Sequence, residues 1–163
     1  MGEYQHITHG FDPVFDERSR VLVLGSFPSV LSRENAFYYG NPQNRFWRVL
    51  AAVFETPVPQ TKDEKCALLS RAGIALWDVV ARCEIKGSAD STIRPLAVND
   101  ITEILNQAAI DKIYVNGRTA EKLYQKHMQP VSGRPAQYLP STSPANAGVT
   151  FEALVQAWSC LRG

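Results

Sequence analysis

A series of short, mainly apolar runs most constrains the fold of this chain. The runs occupy residues 20–25, 74–77, 112–117 and 137–140. Continuous apolar runs of this length are typical of strands that are buried on both faces. Segments with helical spacing separate or follow them, at residues 44–54, 62–72, 99–108, 119–128 and 150–161. The alternation predicts an α/β fold with a central, mainly parallel, four-stranded sheet flanked by helices.

One domain is expected from the length of 163 residues, so the domain prediction covers residues 1–163. The first clear element begins near residue 20, and residues 1–19 are predicted to form a peripheral N-terminal segment. Residues 84–95 are polar and are predicted to form a loop. The N-terminus lacks the apolar region of a signal peptide, and no stretch approaches a membrane span. A cytoplasmic protein without membrane contact is expected.

Charge and cysteine usage restrict the functional classes. A net charge of +1 excludes a uniformly basic coat protein, but a local basic stripe is enough to hold a phosphate backbone. Cys66, Cys83 and Cys160 lie far apart and form no CxxC or CxxxH pair. Neither a zinc site nor an iron–sulfur cluster is predicted, and no metal or other cofactor is expected. Three buried thiols in a reducing cytosol are the simpler interpretation.

The position of the functional site follows from the predicted sheet, because ligands of such sheets bind at the carboxyl ends of the strands. The segments that begin at Ser26, Asp78, Asn116 and Ser141 lie there and are rich in small and polar residues. The first of them belongs to the sequence GSFPS at residues 25–29. Its glycine and proline allow a sharp turn and a close approach to a ligand. A plain strand-to-loop turn is the alternative.

The second candidate segment is FYYGNPQNRFW at residues 37–47. An enzyme that extracts a base from a duplex must stack it on a ring and read its edge with amides or backbone groups. Tyr39 and Asn41 can do both. The alternative is that the aromatic rings fill the core and that Asn41 forms an Asx turn. That alternative explains Phe46 and Trp47 better than Tyr38 and Tyr39, while Asn44 can cap the helix that follows.

The third candidate segment is STSPANAG at residues 141–148. Short hydroxyl side chains beside backbone amides grip a phosphodiester well, because small residues let the chain come close. The alternative is a helix-capping loop. Basic side chains elsewhere are candidate phosphate contacts or simply solvated helix faces; they are Arg45, Arg48, Arg118, Lys122 and Arg134.

These motifs resemble a known family. Residues 41–47, NPQNRFW, are similar to a segment of the mismatch-specific uracil/thymine DNA glycosylases. Residues 25–29 stand where the uracil-DNA glycosylase superfamily has its first motif, and residues 139–146 stand where it has its second. The set GSFPS, YYGNPQNRFW, GSADS, NG and STSPAN is most similar to the hypoxanthine-DNA glycosylase branch. The resemblance covers residues 20–161 and implies the three-layer fold of that superfamily.

The resemblance implies a monofunctional DNA glycosylase that flips a deaminated base out of DNA and hydrolyses its N-glycosidic bond, with hypoxanthine as the expected base. The resemblance implies that Asn41 is catalytic, and we expect it to orient the water. Asn116, at the end of the third predicted strand, is the second candidate catalytic residue and is expected to donate to the departing base. The candidate substrate-binding residues are Ser26, Phe27, Tyr39, Gly40, Asn44, Ser88 and Asp90. The candidate DNA-binding residues are Ser29, Ser141, Ser143, Pro144, Ala145 and Asn146. DNA is the expected partner of a monomer, with no obligatory protein partner.

The chain departs from the superfamily pattern at three places. Uracil-removing relatives have an Asp or Asn in the first motif to position water, whereas this chain has Phe27. Relatives with a catalytic histidine in the second motif have it where Ser141 stands. A leucine often fills the hole left by the flipped base, but Ala145 or Asn146 occupies that tip here. Because Phe27 cannot position the water, Asn41 is the first candidate for that role and Asp90 is the second.

Two alternative functions stay open at this stage. One is a glycosylase acting on uracil or a mismatched pyrimidine, against which Phe27 argues. The other is a catalytically silent DNA- or nucleotide-binding module on the same fold. The absence of Asp or His at the expected places in the first and second motifs keeps the second alternative open.

Overall fold

The computed structural model describes residues 5–8, 12–27, 37–85 and 92–162. The strands in these residues are β1 (Gln5–Thr8), β2 (Val21–Gly25), β3 (Ile74–Asp78), β4 (Val80–Ile85), β5 (Arg94–Val98), β6 (Lys112–Asn116) and β7 (Gln137–Leu139). The α-helices are α1 (Phe46–Val53), α2 (Lys62–Ala72), α3 (Thr102–Gln107), α4 (Arg118–Leu123), α5 (Gln129–Ser132) and α6 (Phe151–Trp158). A π-helical turn, Tyr124–Met128, joins α4 to α5, and 3-10 turns lie at Pro144–Asn146 and Ser159–Arg162.

The central sheet has four strands in the order β3–β2–β6–β7, and every neighbouring pair is parallel. This arrangement confirms the predicted α/β architecture. Leu22, Val23 and Leu24 of β2 have no exposed surface, as expected for a strand in the middle of a sheet covered on both faces. The register places Gly25 opposite Asp78, so the carboxyl ends of β2 and β3 lie side by side.

The helices begin and end for local reasons. The Thr61 side chain accepts a hydrogen bond from the Glu64 N–H while the Glu64 carboxylate accepts from the Thr61 N–H, which caps the start of α2. Gly73, in the left-handed conformation with φ +71°, ends the same helix. The prediction of a helix over residues 62–72 is confirmed. α3 begins at Thr102, later than predicted, because the Asp100 carboxylate accepts from the Thr102 N–H and hydroxyl.

The second sheet, which is antiparallel and has the order β1–β4–β5, is absent from the sequence predictions. The predicted loop over residues 84–95 is wrong at both ends, because β4 extends to Ile85 and β5 begins at Arg94. In β4 the less buried Ala81, Arg82 and Glu84 interrupt the buried Val80, Cys83 and Ile85, and the pairing with β5 contains register shifts. Neither a continuous apolar run nor a clean alternation marks such a strand.

The N-terminal segment predicted to be peripheral is tied to both sheets. Strand β1 pairs with β4, and Val14 exchanges two backbone hydrogen bonds with Leu76 of β3, at 2.9 and 2.8 Å.

Candidate active site at the carboxyl edge of the parallel sheet

The carboxyl ends of β2 and β3 leave almost no space beside Gly25. A Cβ atom at this position would overlap the Asp78 carboxylate and would lie 3.1 Å from the Tyr39 hydroxyl oxygen. Only glycine lets these two polar groups approach the end of β2. The site therefore brings together the end of β2, a carboxylate from the neighbouring strand and a tyrosine from the loop at residues 37–45.

Asp78, which the sequence places at the end of a strand but to which the motifs assign no role, is a further functional candidate in the structure. Asp78 is only 4% exposed, and no other Asp or Glu in the described residues is buried. Its backbone carbonyl accepts from Asn99 Nδ2 at 2.8 Å, which holds the end of β3. The pKa of Tyr38 is raised by burial and, in second place, by the negative charge of Asp78. In the sequence, the feature that points to Asp78 is its place directly after the apolar run at residues 74–77. Burial of a carboxylate is costly, so an acidic residue at the end of a buried strand indicates a structural or functional role.

Tyr39 is held in a strained conformation at the centre of the site. Its φ of +54° is unusual for a residue with a side chain and costs about 1–2 kcal/mol. The ring stacks on Phe46 with a centroid separation of 4.0 Å and an interplanar angle of 18°. Its hydroxyl oxygen accepts from Asn116 Nδ2 at 3.3 Å. Tyr38, in contrast, is buried in the core, and its hydroxyl donates to the Asp12 carbonyl at 2.8 Å.

Asn116, at the end of β6, joins two loops. Its Nδ2 group donates to the Tyr39 hydroxyl and, at 3.0 Å, to Thr142 Oγ1. Its Oδ1 accepts from the Thr142 N–H at 3.1 Å. Both amide hydrogens are thus directed at protein acceptors, and donation to a departing base would require one of these bonds to be exchanged. The geometry gives Asn116 an organising position in the site.

Asn41 and Asn44 form the turn that leads into α1. Asn41 Oδ1 accepts from the Gln43 N–H at 2.9 Å, which is the Asx turn considered as an alternative interpretation. The Asn41 carbonyl accepts from the Asn44 N–H, and Asn44 Oδ1 accepts from the Phe46 N–H, both at 2.9 Å. The half-buried Asn41 carboxamide is therefore held in one orientation, next to the half-buried Gly40.

The first motif continues from β2 into buried residues. Ser26 and Phe27 are 6% and 7% exposed, and Phe27 belongs to the hydrophobic core. The Gly25 carbonyl accepts from the Val79 N–H at 2.8 Å, and the Ser26 carbonyl accepts from the Val80 N–H at 3.0 Å. These bonds fix the end of β2 against the start of β4. Three of the sequence-predicted site residues lie outside the described residues: Ser29, Ser88 and Asp90.

Residues 141–149, here the 141–149 loop, are organised by their own side chains. Ser141 Oγ accepts from the Ser143 N–H at 3.1 Å, and Ser143 Oγ accepts from the Ala145 N–H at 3.2 Å. Asn146 Nδ2 donates to the Ser141 carbonyl at 2.9 Å. A serine oxygen that accepts one bond keeps its own hydrogen for donation, for example to a phosphate. The tip, Pro144 and Ala145, is half-buried and exposed, respectively.

Arg45 does not point toward solvent as a phosphate contact would. Its Nη1 donates to the Val149 carbonyl at 2.6 Å, and its Nη2 donates to the Asn146 carbonyl at 3.0 Å. Its backbone N–H donates to the Thr142 carbonyl at 3.0 Å.

The other basic candidates near this edge are more exposed than Arg45. Arg48 donates to the Pro42 carbonyl at 3.2 Å. Arg118 lies 3.7 Å from the centre of the Tyr138 ring and forms an ion pair with Glu121 at 2.8 Å.

Within the described segments, no three His, Cys, Asp or Glu side chains are grouped so as to hold a metal ion. No helix in those segments combines the length and apolarity needed to cross a bilayer.

Fold and site together define an α/β protein with a polar site at the carboxyl edge of a four-stranded parallel sheet. Residues 13–162 match the family model of the uracil DNA glycosylase superfamily. The chain therefore belongs to the uracil DNA glycosylase superfamily, which confirms the family expected from its motifs.

Two relatives at the sequence level carry the name hypoxanthine DNA glycosylase. The protein from Methanosarcina acetivorans is 36% identical over 142 residues, which cover 86% of this chain and 89% of that one. The protein from Methanosarcina barkeri is 31% identical over 139 residues, which cover 84% and 87%. A solution NMR structure of a candidate uracil DNA glycosylase from M. acetivorans is 30% identical, with a TM-score of 0.80, and covers 98% of this chain and 100% of that one. This likeness confirms the expected fold.

Proposed function

We propose that the protein excises hypoxanthine from DNA by hydrolysing the N-glycosidic bond of deoxyinosine. The observation that carries the proposal is the convergence of a buried carboxylate, an aromatic ring and an amide at one sheet edge, in Asp78, Tyr39 and Asn116. A base that leaves the DNA stack needs a ring to pack against and polar groups to read its edge. The names of the two relatives point to the same substrate.

The hydrolysis needs little more than an oriented water and a site that accepts the leaving base. Bond breaking gives the sugar oxocarbenium character, so a neutral water is a sufficient nucleophile. Water adds to C1′ of the sugar, the glycosidic electron pair leaves with the purine, and a proton from the water neutralises the products. Asn41 Oδ1 orients this water, because the bond from the Gln43 N–H fixes the carboxamide and leaves the oxygen a second lone pair.

Asp78 gives the site its preference for a deaminated purine. Hypoxanthine carries a hydrogen on N1, whereas N1 of adenine carries a lone pair. A carboxylate accepts only, so Asp78 attracts the first and repels the second. With adenine in the site, the buried carboxylate would have no hydrogen from N1 to accept, and the cost of its desolvation would stay uncompensated. The site therefore discriminates strongly against adenine. Tyr39 stacks on the base, while Gly40, Asn44, Ser26 and Phe27 line the pocket and Asn116 keeps the Tyr39 hydroxyl in place.

The 141–149 loop holds the DNA backbone beside the pocket. The hydroxyls of Ser141 and Ser143 donate to phosphate oxygens, with Ser29 as a further contact. Pro144, Ala145 and Asn146 form a small tip at the place where the flipped base leaves a gap. The protein acts on DNA in the cytoplasm as a monomer, without an obligatory protein partner.

The test uses duplexes that carry a single deoxyinosine, uracil or xanthine, incubated with the full chain and then with alkali. Alkali-labile abasic sites at deoxyinosine are the expected result. Cleavage of the uracil duplex alone would instead identify a pyrimidine glycosylase. Binding to all three duplexes without cleavage would identify a silent DNA-binding module and would overturn the proposal.

A further inference from the structure

The position of Arg45 contradicts the usual electrostatic preference of a helix. It precedes the first residue of α1, where the helix dipole favours negative charge and disfavours a cation. Neither ion pair formed within the described residues includes Arg45. The compensation comes instead from main-chain carbonyls, because the guanidinium donates to those of Asn146 and Val149.

These carbonyls lie at the C-terminal end of the 141–149 loop, just before α6. The Asn146 carbonyl also accepts from the Val149 N–H at 3.2 Å, so Arg45 completes a turn that the backbone has begun. Thr150, the next residue, caps α6 by accepting from the Ala153 N–H at 3.1 Å. Arg45 thus joins the start of α1 to the start of α6 through the end of the loop.

The N-terminal end of the loop is held by a second side chain, that of Asn116, in addition to the bond from the Arg45 backbone N–H to the Thr142 carbonyl. Thr142 has no exposed surface, and Asn116 donates to its Oγ1 and accepts from its N–H. The loop is therefore fixed at Thr142 by Asn116 and at Asn146 and Val149 by Arg45. Between these anchors the tip residue Ala145 is exposed.

We propose that Arg45 is a positioning residue that shapes the 141–149 loop for DNA binding and makes no phosphate contact itself. The inference rests on the proposed function for its DNA partner. The planar guanidinium reaches two carbonyls with fixed donors, which the ammonium group of a lysine does not reproduce. A loop that is ordered before it binds DNA loses less conformational entropy on binding. Weakening the hydrogen bonds from Arg45 should therefore weaken DNA binding.

The test compares Arg45→Lys with the parent protein in single-turnover excision from a deoxyinosine duplex, over a series of salt concentrations. We expect the protein concentration at half-maximal rate to rise about tenfold, with a much smaller change in the maximal rate. The salt dependence of that concentration should keep its slope. A lost phosphate contact would lower the slope by about 0.9. Arg71→Lys, at an exposed position in the last turn of α2, is the matched control and should change neither quantity.

Backbone amide exchange supplies a readout that does not depend on catalysis. In Arg45→Lys the amides of Asn146 and Val149 should exchange faster, while amides of β2 should not change. If Arg45→Lys does not fold, Thr142→Val, which loosens the other anchor at nearly constant volume, should give the same kinetic pattern. An unchanged exchange pattern with a lower salt slope would overturn the inference. Absence of excision by the parent protein would overturn the proposed function, while the exchange data would still decide the role of Arg45 in the loop.

Discussion

Asn116 and Thr142 exchange two hydrogen bonds across 26 residues of sequence. Asn116 Nδ2 donates to Thr142 Oγ1 at 3.0 Å, and the Thr142 N–H donates to Asn116 Oδ1 at 3.1 Å. The second amide hydrogen of Asn116 reaches the Tyr39 hydroxyl. One side chain at the end of β6 therefore sets the relative position of the loop that holds Tyr39 and the loop that holds Ser141 and Ser143. In the proposed function these loops form the base site and the backbone-binding site, so the shared anchor keeps the two sites at a fixed separation.

Replacing Asn41 by alanine should reduce the single-turnover rate of hypoxanthine excision by about 100- to 1,000-fold, because the water loses its orienting group. Affinity for the deoxyinosine duplex should change much less. Asn41→Asp is the matched control, since aspartate keeps an acceptor for the Gln43 N–H and for water, and it should retain more activity than alanine. A parallel loss of affinity and rate in Asn41→Ala would make Asn41 a positioning residue.

Replacing Asp78 by asparagine should lower kcat/KM for deoxyinosine by about 10- to 100-fold, because an amide can present a donor where the base also has one. Discrimination against adenine should fall as well, and it is measured as abasic sites formed in an undamaged duplex. Asp63→Asn, on the exposed surface of α2, is the control and should behave like the parent. Unchanged selectivity in Asp78→Asn would show that another group reads the base.

Replacing Ser143 by alanine should act on DNA affinity more than on the maximal excision rate. The hydroxyl both accepts from the Ala145 N–H and offers its hydrogen to phosphate, so its loss weakens the loop and one contact together. We expect the dissociation constant to rise about fivefold, from a loss of about 1 kcal/mol. Ser159→Ala, at the end of α6, is the control. An affinity equal to that of the parent would exclude a phosphate contact at Ser143.

The sequence predicts those strands and helices whose residue pattern along the chain is distinctive. The runs that became β2, β3 and β6 are continuously apolar because both of their faces are covered, and that pattern is visible without a structure. β4 and β5 have mixed polarity, so they were not predicted. The proposed role of Arg45 depends on its hydrogen bond to the Val149 carbonyl, 104 residues away in the sequence. Local residue spacing cannot reveal a contact between residues so far apart. The approach of Asp78 to Gly25 likewise exists only after two strands pair.

Acid should weaken the attachment of the N-terminal segment through Asp16. The hydrogen bond from the Ser70 hydroxyl, at 2.7 Å, holds the pKa of the Asp16 carboxyl below its usual 3.8. A carboxyl whose pKa is lowered by folding stabilises the protein above its unfolded pKa, and this contribution is lost as the pH falls through the folded pKa. The decrease in Tm caused by Asp16→Asn should therefore be largest above about pH 5 and shrink toward pH 2. Ser70→Ala should show the same pH dependence, and a pH-independent decrease in both variants would contradict this assignment.

Replacing Gly25 by alanine tests the crowding at the centre of the site. The new Cβ would overlap the Asp78 carboxylate and press on the Tyr39 hydroxyl, and Asp78 is only 4% exposed. Overpacking of this kind costs about 1–3 kcal/mol, so the free energy of unfolding in urea should fall by that amount. Gly148→Ala is the matched control, because no atom lies within 4 Å of a Cβ placed there, and its stability should stay within about 0.5 kcal/mol of the parent. Excision of hypoxanthine should be lost in Gly25→Ala even at temperatures where the variant is fully folded, since the carboxylate and the hydroxyl must move apart. A folded Gly25→Ala that excises at the parental rate would show that the close approach of these two groups is not needed for the reaction.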